Sequence, residues 1–544
     1  MSLGRGLEHA AEHVRRRLLI RLIGGLLLLL SVSMLPSLAI AFWMGELDRG
    51  AFAATIIIIA PLGWLCFRYG RGARDDLARR EGLLLVSVAW LISILVGSMP
   101  FYLYAQRVTL GATDQAIVAS YPSPTGRAVH GRCHLEGAGG AGSEFCSITN
   151  CLFESASGFT TTGATILERG LWRQKERKSS EDLPHGLLLW RNVTQWLGGM
   201  GIIVLAVALL PLLGIGGMQL FRAEVPGPTA AKLVPRVSET ARTLWTVYGV
   251  ITVVVTALLM CSGAGWFLSL THALSTVATA GFSPLAESVG GLNSAFSEYV
   301  IIAFMLFCGA NFALHHRAVS ERRFVHWRDP EFRVFMAVVV GVSLLTYAAL
   351  AASGTSEGLT AFRHSVFTVV SLVTTTGYAS YDYMLWVPGL PVLAIAFLAI
   401  STLGGCVGST SGGVKVIRLA LGTRLAAREF YRLIHPRGVR PVRLAEQRVD
   451  YTVVDGVASF LVVFFVLGLF GALWLAAEGF TPIESLSASL ATLANVGPAL
   501  GEFGPAGNYN KVSDLGKVML SGLMILGRLE LLTVLVLFTR DFWR

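Results

Sequence analysis

The sequence predicts an all-α polytopic membrane protein: a two-helix hairpin, then four membrane-pore-membrane repeats folded around one central pore. Three observations predict it. Apolar residues make up 53% of the 544-residue chain and charged residues only 14%, with a mean hydropathy of +0.62, which excludes an ordinary soluble domain. Ten apolar runs long enough to cross about 30 Å of hydrocarbon begin near Leu18, Ala51, Leu83, Leu187, Leu244, Tyr299, Phe335, Leu390, Val453 and Val518. Finally, one short motif recurs four times at intervals of roughly 100 residues.

The first two runs form the hairpin, within an N-terminal unit spanning 1–81 that looks like an addition to the repeats. The first run is too long for a cleavable signal peptide, and no small-residue cleavage site follows it. Lys and Arg orient the spans. With the N-terminus inside, 30 of the 44 basic residues fall in the N-terminal segment, the loops 68–80, 222–242, 317–333 and 415–448, and the tail. That asymmetry satisfies the positive-inside rule and predicts cytoplasmic N- and C-termini. The net charge of +10 is then a topology signal: the expected surroundings are a lipid bilayer, and no nucleic-acid partner is expected.

From Leu83 the pattern becomes span, external segment, short apolar half-helix, Thr/Gly-rich turn, span. It predicts a first pore repeat over 82–236, a second over 237–331, a third over 332–450 and a fourth over 451–544. Each half-helix, such as Val366 to Leu372, is too short to cross a bilayer and must enter and leave on one side. Backbone that stops being helical at membrane depth survives only inside protein or against a water-filled cavity, so four such stretches imply one shared cavity. Two external inserts, 105–149 and 169–184, have no role that their residues reveal. A Cys133–Cys146 bridge in the first is compatible with an oxidising compartment but is not fixed by the sequence. Cys66, Cys261, Cys308 and Cys406 read as small packing residues.

The four turns read Thr161-Thr162-Gly163, Thr279-Ala280-Gly281, Thr375-Thr376-Gly377 and Asn495-Val496-Gly497, and Ser157, Ser275, Ser371 and Ala491 stand six residues before each glycine. A dehydrated monovalent cation needs several oxygens close around it, and rings of backbone carbonyls replace its hydration shell. Carbonyls converge on an axis only where the backbone leaves regular geometry, which glycine does without steric cost. No Asp, Glu, Lys or Arg lies in the turns, which argues against a divalent-ion site or a charged-ring filter. The competing reading, glycines that let spans pack closely, suits Gly198-Gly199-Met200-Gly201 better than four matched turns.

A second irregularity, Ser401–Gly413, interrupts the eighth span with Gly404, Gly405, Gly408, Gly412 and Gly413 beside Ser409 and Thr410. At about 1 kcal/mol per glycine relative to alanine the helix should break here. The pattern lacks the Gly-Lys-Ser/Thr ending of a phosphate-binding loop. A polar break beneath the third turn reads as a gate, against a simple packing kink. Arg528, in the middle of the last span, is expensive at that depth. It is expected near the inner mouth as a barrier to cations or an anchor for the gate loop, unless it merely pairs with Glu530. His272, His315 and His316 read as polar caps at membrane boundaries.

Two stretches, Trp190-Arg191-Asn192-Val193-Thr194-Gln195-Trp196-Leu197-Gly198-Gly199-Met200-Gly201 and Met218-Gln219-Leu220-Phe221-Arg222-Ala223-Glu224-Val225-Pro226-Gly227-Pro228, resemble the bacterial TrkH/TrkG potassium-uptake subunits. So do Gly404-Gly405-Cys406-Val407-Gly408-Ser409-Thr410 and Ala494-Asn495-Val496-Gly497-Pro498, within a resemblance that spans nearly the whole chain. The resemblance implies a homodimer with one pore per protomer, conducting K+ and Rb+. It also implies a gate loop at Ser401–Gly413 with a pore arginine at Arg528, and a cytosolic nucleotide-binding regulator of the TrkA type on the basic inner loops. Gly163, where some of the wider superfamily has serine, favours K+ over Na+. No covalent chemistry and no tightly bound cofactor are implied. K+/H+ or K+/Na+ symport stays open, and a secondary transporter of an organic solute, with two broken helices and a charged substrate partner, fits less well. No nucleophile–base pair or metal spacing supports an enzyme.

Overall fold

The computed structural model describes residues 2–71, 79–111, 143–167, 183–201, 237–323, 325–354, 358–438, 441–444, 447–449 and 451–543. Most of the insert 105–149, nearly all of 169–184 and the stretch Met218–Pro228 lie outside them. The apolar runs become helices as hydropathy requires: α1 (Ser2–Ser33) and α2 (Leu35–Met44), then α3 (Arg49–Tyr69) and α4 (Arg79–Gly111). Pro36 sits in the first turn of α2, where its missing N–H costs nothing. α1 and α3 meet backbone to backbone at Gly24 and Gly63, since a Cβ on Gly24 would stand 2.7 Å from the Gly63 carbonyl oxygen.

Next come α5 (Ile148–Phe159), α6 (His185–Gly199), α7 (Val237–Cys261), α8 (Trp266–Ala278), α9 (Ala295–Gly309) and α10 (Phe312–Ser320). The hairpin is tied into this group. The turn between α2 and α3 caps the start of α6: Glu46 accepts from the His185 backbone N–H at 2.7 Å and Asp48 from that of Leu187 at 3.1 Å. Burial, with the Glu46 carboxylate adding to it, pushes the Asp48 carboxyl up to about 7.

The chain continues through α11 (Pro330–Ser353), α12 (Gly358–Val373), α13 (Pro391–Leu403) and α14 (Val416–Ile434), then a two-residue antiparallel ladder pairing Arg443 with Arg448. It ends in α15 (Tyr451–Ala477), α16 (Pro482–Leu493), α17 (Asp514–Arg528), α18 (Leu532–Leu535) and α19 (Arg540–Trp543). Side chains fix where several helices begin. Asp329 accepts from the N–H groups of Glu331 and Phe332 at the head of α11, and Thr481 and Glu484 form a capping box on α16.

Breaks in the apolar runs are more frequent than the single one expected at Ser401–Gly413. Six described helices are long and apolar enough to cross a membrane, and two bent pairs bring the number to eight. α9 and α10 meet at 95°, and α17 turns by 108° into the segment Leu532–Phe538. The described part of the run near Leu187 is α6, of 15 residues, and the run near Leu390 gives α13, of 13 residues. The described helices α6, α9, α13 and α17 end at Gly199, Gly309, Leu403 and Arg528, and carbonyls near those ends find partners outside the helix. Hydropathy averages over such breaks.

Cys146 is disulfide-bonded, Cys66, Cys151, Cys261, Cys308 and Cys406 are free, and Cys133 lies outside the described residues. His272 and His315 are not boundary caps. His272 is fully buried, with Nδ1 2.8 Å from the Leu268 carbonyl and Nε2 3.0 Å from Ser283 Oγ. His315 is buried between the Phe307 carbonyl and His326.

Candidate functional site

The four short helices α5, α8, α12 and α16 end in loops of one construction. In each, the residue before the glycine donates its N–H to the carbonyl five positions back: Thr162 to Ser157 at 2.9 Å, Ala280 to Ser275 at 3.1 Å, Thr376 to Ser371 at 2.8 Å and Val496 to Ala491 at 2.8 Å. Two residues before the glycine the chain is left-handed, with φ of 56° at Thr161, 49° at Thr279, 55° at Thr375 and 58° at Asn495. The glycines are left-handed too, at 79° for Gly163, 82° for Gly281, 77° for Gly377 and 91° for Gly497. Such a φ is rare for β-branched threonine and survives only where the surroundings enforce it.

The loops enforce it on one another. A Cβ on Gly163 would collide with the carbonyl oxygen of Ala280, one on Gly281 with that of Thr376, one on Gly377 with that of Val496, and one on Gly497 with that of Thr162. Loop one thus meets loop two, two meets three, three meets four, and four returns to one. The carbonyls of Thr162, Ala280, Thr376 and Val496 stand together in a closed circle. All four preceding helices run toward it with their C-terminal ends, each equivalent to about half a negative charge. The sequence reading had not used that alignment, although helix direction follows from chain order.

On one side of the circle lies an open cavity of ≈ 540 Å³ lined by all four glycines together with Arg191, Phe503 and Tyr509. Tyr509 donates its hydroxyl to the Gly497 carbonyl at 2.8 Å.

The loops are braced from behind by polar residues of α6 that sequence reasoning noted only as motif letters. Gln195 donates to the Ala280 carbonyl at 2.7 Å and accepts from Ser275 Oγ at 2.6 Å and the Phe282 N–H at 3.1 Å. Asn192 donates to the carbonyls of Thr271 and Phe282. Arg191, 1% exposed, pairs with the equally buried Glu154 at 2.7 Å and stacks 4.1 Å over the Phe282 ring. A buried polar row on an apolar helix is the signal that could have found them. Gln195→Leu strands three buried polar groups at about 1–3 kcal/mol each. The expected outcome is a lowered melting temperature of the detergent-solubilised protein, and an unchanged one removes Gln195 as a brace.

On the other side, the segment joining α13 to α14 folds back under the loops. Gly404, Gly408 and Gly413 have φ of 78°, 76° and 73°, and a Cβ on Gly405 would stand 2.7 Å from Ser411 Oγ. Thr410 Oγ1 lies 3.0 Å from Thr279 Oγ1, and the Gly412 N–H donates to Thr375 Oγ1 at 2.7 Å. A Cβ on Gly412 would stand 2.9 Å from that of Asn495. Three of the four loops therefore touch this segment.

It is held from every side. The Cys406 N–H donates to the Gly309 carbonyl at 2.9 Å, the Val407 N–H to Glu331 Oε1 at 2.7 Å, and Ser409 Oγ to the Cys406 carbonyl at 2.6 Å. Arg528 donates to the Thr410 carbonyl at 2.9 Å and to the carbonyls of Gly198 and Gly199 at 2.6 and 3.1 Å. The chain breaks at Gly199 and Gly309 thereby have their loose carbonyls filled. Glu530 pairs with Arg418 and not with Arg528. Lys415, buried and with φ of 65°, donates to the Ser411 carbonyl at 2.6 Å and was not anticipated as part of the site.

Comparison with known proteins gives a consistent answer. A model of the TrkH family, described as a cation transport protein, matches residues 88–543. The Trk system potassium uptake protein TrkH of Halomonas elongata is 37% identical over 530 residues, covering 97% of this chain and 99% of its own. TrkG of Escherichia coli (strain K12) is 30% identical over 536 residues, covering 98% and 99%. The crystal structure of the potassium transporter TrkH from Vibrio parahaemolyticus superposes with a TM-score of 0.79 at 34% identity, covering 97% of this chain and 99% of that one.

Proposed function

This multi-pass membrane chain belongs to the TrkH family of cation transport proteins, a family of transporters and not of enzymes, and on that premise we propose that it takes up K+ across the bacterial inner membrane. Both termini are cytoplasmic, and four repeats over 82–236, 237–331, 332–450 and 451–544 follow the hairpin. The carrying observation is the closed circle in which each glycine of Gly163, Gly281, Gly377 and Gly497 abuts the next loop's carbonyl. Thr161, Thr162, Thr279, Ala280, Thr375, Thr376, Asn495 and Val496 supply the oxygens and rigid turns that replace an ion's water. Four convergent helix C-termini add a field suited to a cation.

Uptake is channel-like and gated. Each positive charge gains about 2.3 kcal/mol per 100 mV of inside-negative potential, so accumulation needs no coupled hydrolysis. Gly404, Gly405, Gly408, Ser409, Thr410, Gly412 and Gly413 form the gate, fastened across the path by Arg528. A cytosolic nucleotide-binding partner of the TrkA type, acting on the basic inner face of a homodimer, releases it. Rb+ substitutes for K+.

The test is radiolabelled Rb+ uptake into proteoliposomes under an inside-negative diffusion potential, with K+, Na+ and organic solutes as competitors. K+ should compete at equal concentration, and Na+ and the organic solutes should not. Uptake indifferent to K+ would overturn the reading.

A further inference from the structure

Where α14 runs past the chain segment 441–443, the structure leaves an open cavity of ≈ 1080 Å³ lined by Arg424, Ala427, Arg428, Tyr431, Pro441, Val442 and Arg443. Arg424, Arg428 and Tyr431 share one helix face at i, i+4 and i+7, and Arg443 closes the cavity from the two-residue ladder, where Arg424 donates to its carbonyl. Among the described residues, three of the seven that line it are guanidinium-bearing and none is acidic. The nearby carboxylate, Glu429, pairs with Arg428 and Arg432 and leaves Arg424 and Arg443 without a counter-charge from it. Guanidinium groups gathered around one space match the geometry and charge of a phosphate.

The neighbouring stripe of the same helix is apolar and uncovered. Phe430, Leu433 and Ile434 are 68%, 79% and 74% exposed. A basic pocket beside large exposed apolar side chains, on a helix leaving the spans at their positively charged end, has the two halves of a lipid site: headgroup and acyl chain. A soluble phosphate compound would use the arginines and leave the stripe bare.

We propose that this cavity binds the phosphate of an anionic membrane phospholipid, with the acyl chains lying along Phe430, Leu433 and Ile434. The assignment rests on the inward orientation proposed above for α14. α14 starts directly after the candidate gate, and Arg428 lies roughly 18 Å along the helix from Val416 at 1.5 Å per residue. A lipid held there would sit on the one rigid rod that leaves the gate segment.

The experiment is native mass spectrometry of the full-length protein in detergent with dioleoylphosphatidylglycerol, dioleoylphosphatidylcholine or inorganic tripolyphosphate. It reads bound lipid and is independent of ion flux, so it fails or succeeds separately from the transport reading. Retention of phosphatidylglycerol over phosphatidylcholine is expected, falling roughly thirtyfold in R424Q/R443Q, given about 1 kcal/mol for each of the two basic residues. R424K/R443K should keep most of it, and R322Q/R323Q, on a different basic loop, should keep all. Equal retention in R424Q/R443Q overturns the proposal, as does binding of tripolyphosphate without phosphatidylglycerol. A lipid-free dimer that Phe430→Asp splits into monomers would assign the apolar stripe to a second copy of the chain and overturn it as well.

Discussion

Gly163→Ser is expected to collapse discrimination between K+ and Na+ while leaving transport measurable. Gly163 has φ of 79°, which costs an L-residue about 1–2 kcal/mol, and its Cα faces the Ala280 carbonyl with no room for another atom. The serine Cβ must push that oxygen away, and Gln195, bonded to the same oxygen at 2.7 Å, resists from behind. Loop one therefore gives way, and the circle widens on one side. A loss of about 1.4 kcal/mol in preference for the larger ion is a tenfold loss of selectivity. Na+ competition against radiolabelled Rb+ uptake should strengthen by at least about that factor, and an unaltered competition curve would remove Gly163 from the filter.

Arg528→Ala should do the opposite kind of damage: uptake without any regulator should rise. Arg528 makes hydrogen bonds to the carbonyls of Thr410, Gly198 and Gly199, and bonds to a charged group contribute about 1.5–3 kcal/mol each. Losing them frees the segment 404–413 from the first pore unit and moves a two-state gate toward open. At least tenfold higher basal Rb+ uptake is expected, with Arg528→Lys intermediate. Shortening Ser401–Gly413 should act in the same direction. A folding defect lowers uptake, so the sign separates the two explanations, and basal flux at the parental level counts against a fastened gate.

Much of this was legible in the residues because four copies of one short motif reinforce each other. The glycines and the break at Ser401–Gly413 follow from backbone chemistry that glycine alone announces. The left-handed threonines did not follow, since threonine avoids that region unless neighbours compel it, and those neighbours lie about 100 residues away. The bends after Gly309 and Arg528 were invisible for another reason: flanking sequence stays apolar, and hydropathy does not record direction. Glu530 looked like a partner for Arg528, yet it lies beyond the end of α17 with φ of 62°, and Arg418 takes the carboxylate instead. Gln195 and Asn192 were hidden because their partners, mostly backbone groups, belong to α8 and the loop after it.

Gly497 abuts the carbonyl of Thr162, so the circle of four loops is closed by a contact between segments made early and late in translation. While the chain is still leaving the ribosome, three walls stand and the fourth flank is open to lipid. An interrupted copy therefore lacks the contact that completes the ring of carbonyls.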